Sequence, residues 1–235
     1  AADLETSRST VDRVLRDLIN VGFVRKHDGA YQLTLPGQCA LTALDQYEET
    51  IRGVSEAHDL LEMLPPDAPL DPAFLAGARV YTSSPDIPDS VVQQLFASVE
   101  DSGQFYGVAP VALVGQLRAF TDAANEGGTD VEMVIADELL EKLLAAPDSR
   151  SVIVDQVRRP SADIYRTEVP FSFGLWVVDD EAGIAVYTDT GVGGLALNDS
   201  DRAMSWARDL FESLRSDAEL VTLSSLGEEP SDDTE

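Results

Sequence analysis

Residues 7–26 gather five cations, Arg8, Arg13, Arg16, Arg25 and Lys26, against two acids, Asp12 and Asp17, in a chain whose formal net charge is −27. Local positive charge on so acidic a background points to a surface that meets an anion. The chemistry on offer is hydrogen bonding, not bond making. Arg8 and the hydroxyls of Ser7, Ser9 and Thr10 suit phosphates or base edges, the Arg13 fork suits a bidentate contact to guanine, and Asp12 can accept from cytosine N4. Arg16 continues the same exposed stripe. Arg25, Lys26 and His27 form a second group suited to phosphate or minor groove. The plainer reading is a solvated, exposed helix, but the hairpin signal that follows, itself carrying cations, weighs against it.

These residues need elements to hold them. Ser7 is placed to cap a helix running to Val21 that Gly22 closes. Its apolar set, Val11, Val14, Leu15, Leu18 and Ile19, keeps to one face. The segments 23–27 and 30–35 flank Asp28-Gly29, a strong hairpin signal. Helix, short turn, helix and hairpin is the winged arrangement, whose second helix enters the major groove. Residues 1–5 read as the end of a helix already under way, so the expected domain is a winged helix-turn-helix over 1–37, truncated at its N-terminus.

Residues 38–64 carry a sustained helical pattern. Leu44, Ile51 and His58 fall seven apart, as do Tyr47, Val54 and Leu61, giving three heptads of an a/d seam. A second copy or the chain's own C-terminal domain can cover that stripe, and His58 is either a register-fixing polar residue or a plain exposed one. Pro65, Pro66, Pro69 and Pro72 mark a linker over 65–78.

The remainder, 79–223, reads as an α/β domain with a sheet of mixed direction. Strands are expected at 79–82, 131–135, 152–154, 163–168, 171–178, 184–188 and 195–197, and helices at 88–101, 110–126, 137–145 and 201–215. Residues 224–235 form an acidic tail expected to be disordered, with five acids in 227–235.

Composition narrows the setting. Two lysines against fourteen arginines, 26 aspartates against 17 glutamates and a pI near 4.1 look like a haloarchaeal cytosolic protein. The lone Cys39 allows no internal disulfide and no metal cluster, which fits a reducing cytoplasm. No apolar run approaches the roughly 20 residues that span a bilayer.

The run from Ser7 to Leu18, then Gly22-Phe23-Val24 and the Asp28-Gly29 wing, resembles archaeal winged-helix transcription regulators of the ArsR/MarR type. Phe171 to Leu175, Val178 to Asp180, Tyr187 to Gly191 and Trp206 to Phe211 resemble the domain that follows the winged helix in the archaeal methanogenesis-regulatory-protein family, common in haloarchaea. The resemblance implies a regulator that binds double-stranded DNA. The sequence departs from the pattern at the front, where the helices preceding the recognition helix are missing.

In the C-terminal domain Tyr106, Phe173, Trp176 and Tyr187 are candidates to line a pocket for a small effector, although aromatics at strand spacing are more often core. Gly191, Gly193 and Gly194 lack a phosphate-loop context and read as turn residues. Arg158-Arg159 is an anion grip or a solvated loop pair. Catalysis finds little footing, because His27 and His58 lie outside the α/β domain and Cys39 has no partner histidine. No cofactor, catalytic group or metal site is expected. Two functions follow: a dimeric, sequence-specific transcription regulator with a sensing domain, or an interaction module that contacts transcription machinery without reading DNA.

Overall fold

A computed structural model of the chain describes residues 7–83, 90–100, 102–112, 114–189 and 191–228. The chain divides into two compact units between Arg52 and Gly53. That is earlier than the Pro65-Pro66 break.

The first unit holds α1 (Arg8–Asn20), the hairpin of β1 (Val24–His27) and β2 (Ala30–Leu33), and most of α2 (Leu35–Glu56). Ser7 caps α1, its Oγ accepting from the Thr10 N–H at 3.2 Å. At the other end Gly22, at φ 80°, lets Phe23 N–H donate to the Leu18 carbonyl and Gly22 N–H to that of Ile19, a Schellman closure. Asp28 and Gly29, at φ 49° and 81°, make the mirror-image turn that hairpins favour, with Val24 opposite Leu33 and His27 opposite Ala30. Thr34 ties the hairpin to α2, its hydroxyl donating to the Gly22 carbonyl at 2.6 Å and accepting from the Gly37 N–H at 3.1 Å. Gly37 has no room for a side chain, because a Cβ would run into the Phe23 carbonyl.

The expected spacer helix over 38–64 is not continuous. It ends at Glu56 and a separate turn, α3 (His58–Leu61), follows. The reason is packing: Gly53 lies against the Leu75 backbone, and Ala57 and Leu60 are buried in the core of the second unit. The linker expected over 65–78 is also structured. Asp71 caps α4 (Pro72–Leu75), which starts on Pro72 and buries Phe74 and Leu75 in the same core. The prolines punctuate that segment without freeing it.

The second unit continues as β3 (Arg79–Thr82), α5 (Ser90–Glu100), β4 (Gln104–Ala109), α6 (Val114–Gly127), β5 (Asp130–Ala136), α7 (Asp137–Ala145), α8 (Pro147–Val157), β6 (Ala162–Thr167), β7 (Phe173–Val177), β8 (Ala182–Thr188), β9 (Gly191–Asn198), α9 (Asp201–Ser216) and β10 (Glu219–Leu220). An eight-stranded sheet runs β10-β6-β5-β4-β7-β8-β9-β3. β4, β5 and β6 are parallel and joined through helices; β7, β8 and β9 form an antiparallel meander, and β3 pairs antiparallel with β9 at the sheet edge. The mixed sheet is the expected one, with three corrections. Residues 152–154 are not a strand but the buried turn of α8, which opens on Pro147. β4 pairs with both β5 and β7 at the centre of the sheet where no strand was expected. Residues 224–228 are not a loose tail: Leu226 is buried, and Arg150 donates to its carbonyl and to Glu228. The rest of the tail, residues 1–6, and the start of the helix expected from 88 lie outside the described residues.

One sheet face packs Phe173, Leu175 and Val177 with Ala203, Ala207 and Phe211 of α9 and with Leu60 and Phe74. The other packs Phe105, Val131, Trp176 and Ala185 under Val91 and Val99 of α5 and Ala124 of α6. Helices therefore sit on both faces, as a partly parallel sheet requires.

Candidate nucleic-acid interface

All five cations of 7–26 are exposed on α1 and β1, and none lies within 4 Å of a carboxylate among the described residues. The arginines of the second unit divide, with Arg118, Arg159, Arg202 and Arg208 likewise beyond 4 Å of a carboxylate among the described residues. Arg79, Arg150, Arg158, Arg166 and Arg215 each meet an acid; Arg215 Nε donates to Glu132 at 2.6 Å, which raises its pKa further.

The capping turn fixes the first of these groups. Ser7 Oγ also lies 2.9 Å from the hydroxyls of Ser9 and Thr10, so it serves the helix before any ligand. Arg16 Nε donates to the Asp12 carbonyl one turn back at 3.2 Å. The side chains of Arg8, Asp12 and Arg13 are exposed. On the hairpin Lys26 stands 5.8 Å from the Tyr31 ring centroid, which orients its ammonium, and His27 Nε2 lies 3.3 Å from Asp28. The unit thus joins α1 and the hairpin tip through the Gly22 closure into one exposed, cation-bearing surface.

The same unit leaves apolar groups uncovered. Val24 is its one buried hydrophobic side chain among the described residues, and Val14, Ile19, Tyr31 and Leu35 are exposed. So is the first half of the expected seam, with Leu44, Tyr47 and Ile51 at 51, 63 and 51 % exposure, whereas Val54 and Leu61 pack into the second unit's core. His58 is exposed on α3, 3.4 Å from Glu62, and so does not sit in the continuous seam. Cys39 is exposed on α2.

The four aromatic candidates of the second unit do not share a pocket. Trp176 and Tyr187 belong to the α5/α6 face, while Tyr106 and Phe173 lie on the α9 face, Tyr106 against Phe211. Phe173 and Trp176 are three residues apart on one strand and must point to opposite sides. Arg158 pairs with Asp155 and Glu228, so it is no free anion grip. Gly191, Gly193 and Gly194 are not turn residues but lie in β9, Gly191 at φ 133°; the missing side chain of Gly194 makes room for Leu60 and the Tyr81 carbonyl. No described helix is long and apolar enough to cross a membrane.

Residues 88–217 match the family model described as methanogenesis regulatory protein FilR1, middle domain, and residues 1–56 match the model described as HVO_A0261 N-terminal domain. No curated protein matches the chain. Similar solved structures include TrmBL2, an archaeal chromatin protein with a novel mode of DNA binding, at 16% identity over 92% of this chain and 84% of that one, TM-score 0.46. Two others are Nuc of Salmonella typhimurium, a phospholipase D family member (13% identity, 62% of this chain, 99% of that one, TM-score 0.45), and NucT of Helicobacter pylori (8% identity, 60% of this chain, 96% of that one, TM-score 0.48). These are distant likenesses.

Proposed function

The chain belongs to the family of the methanogenesis regulatory protein FilR1 middle domain, and from that premise we propose that it is a sequence-specific, DNA-binding transcription regulator. The observation that carries the reading is the set of five exposed cations on α1 and β1 left without carboxylates in a chain of net charge −27. α1 acts as the recognition helix of a winged helix-turn-helix of ArsR/MarR type: Arg13 reads guanine, Arg8 with Ser9 and Thr10 engages phosphate or base edges, and Arg25, Lys26 and His27 hold the flank.

Two copies bind together, with Leu44, Tyr47 and Ile51 of α2 as the shared stripe. Burying three such side chains is worth several kcal/mol, at about 1.5–3 kcal/mol for each when fully covered. The second unit receives a signal, a small molecule or a partner, that binds two states of the dimer unequally. No catalytic step enters this reading. The acidic, lysine-poor composition supports a salt-rich archaeal cytoplasm as the setting of this regulator.

The exposed apolar residues of the first unit favour one other reading, a module that docks on transcription machinery. Selection of bound fragments from genomic DNA in molar KCl tests between them. A short dyad-symmetric motif supports the regulator; folded protein that enriches nothing supports the module.

A further inference from the structure

Between the sheet and the α5/α6 layer lies a cavity of about 130 Å3 that no feature of DNA recognition uses. Its floor is shaped by missing side chains. Trp176 of β7 faces Gly107 on one neighbouring strand and Gly183 on the other, and its indole lies over Gly183. Tyr187 of β8 leans the opposite way, its hydroxyl over Gly174 of β7. The two rings thus diverge, and Gly174, Ala185 and Gly107 line the space with them. Leu95 and Phe96 of α5 and Leu117 and Phe120 of α6 line the helical side.

The lining contains no charged residue, so an ion entering would lose its hydration without a counter-charge. It does contain a polar group short of a partner: the indole N–H of Trp176, a residue 2% exposed, has no hydrogen-bond partner among the described residues. The half-buried Tyr187 adds a hydroxyl to the same lining. Burial pushes the Tyr187 pKa up to about 12, which keeps it a neutral donor and acceptor. Buried polar groups without partners are rare in native proteins. An apolar cavity of about 150 Å3 is known to stay dry and admit benzene, so this one has room for a single ring.

We infer that this cavity binds a small, neutral, single-ring aromatic molecule of the phenol class, its ring against the glycine floor and its hydroxyl paired with that of Tyr187. The inference rests on the reading that the second unit receives a small-molecule signal. Its test measures occupancy alone, so a failure to bind DNA leaves it standing.

Phenol and toluene, equal in size and differing in the hydroxyl, are titrated into the full chain in molar KCl, with binding followed by saturation-transfer NMR. Both probes should bind saturably and compete. Tyr187→Phe should weaken phenol about five- to tenfold, the worth of one hydrogen bond, and leave toluene within twofold. Ala185→Leu, which fills the floor, should abolish both; if that variant fails to fold, the Tyr187→Phe comparison still decides. Absence of saturable binding of both probes, or equal loss of phenol and toluene in Tyr187→Phe, would overturn the inference.

Discussion

Phe23 donates its backbone N–H to the carbonyl of Leu18 at 2.9 Å, across a Gly22 whose φ of 80° no L side chain adopts without cost. This one closure sets the angle at which the hairpin leaves α1, and with it the position of Arg25 and Lys26 relative to Arg8 and Arg13. A left-handed residue with a Cβ costs about 1–2 kcal/mol. Gly22→Ala should therefore destabilise the first unit by about that amount, although nothing lies within 4 Å of the added Cβ. Gly115→Ala, inside α6 and equally open, should leave the protein unchanged or stabilise it by up to about 1 kcal/mol. Calorimetric unfolding of the two variants checks the opposite signs.

The local signals for this unit were legible in the sequence because each is a backbone requirement: a capping Ser7, a closing Gly22, an Asp28-Gly29 turn. What was not legible depended on partners distant in the chain. Val152, Ile153 and Val154 look alike as a buried strand or a buried helical turn, and Pro147 at the helix start was the one local cue. β4 carries Gly107 at its centre, which weakens any strand signal; its partners β5 and β7 and the approach of Met133 explain the glycine. The even spacing of Leu44, Ile51 and His58 concealed a helix end at Glu56, because the burial of Ala57 and Leu60 is set by the second unit's core. The cation cluster was readable as composition, but its lack of carboxylate neighbours was not.

The divided seam makes two substitutions of the same kind behave differently. Leu44→Glu, on the exposed half, should convert a dimer to a folded monomer, seen by light scattering behind a sizing column with an unchanged melting temperature for the second unit. Val54→Glu, packed against the core, should lower that melting temperature, since it buries a carboxylate without a partner. A dimer that survives Leu44→Glu would remove α2 as the shared stripe.

Tyr187 gives the fold a signature at high pH. Its folded pKa, about 12, lies above the ordinary value of 10, so the neutral phenol favours the folded state. That contribution is complete below pH 10 and is lost as pH rises toward 12. Absorbance titration of the phenols should show a late-titrating tyrosine that disappears in Tyr187→Phe. The fall in stability between pH 10 and 12 should be shallower in that variant.

Salt should act on this protein against the usual trend. Counterion release makes ordinary DNA binding weaken steeply as salt rises. Here the acids repel DNA as well as one another, and screening at about 1 M KCl shortens that repulsion to a range of about 3 Å. Affinity for the selected fragment should change little, or rise, between 0.5 and 2 M KCl on an order-of-magnitude expectation from the same screening. A steep loss over that range, followed by fluorescence anisotropy, would count against a salt-adapted reader.

In the proposed regulator α1 reads DNA through Arg13. The most direct test is the affinity of Arg13→Ala for the selected fragment in molar KCl, set beside Arg208→Ala, the same charge change at an exposed site of the second unit. Arg13→Ala should lose specific binding by about 10- to 100-fold, the worth of one bidentate base contact, while Arg208→Ala binds as the parent does. Equal affinity in the two variants would contradict the account.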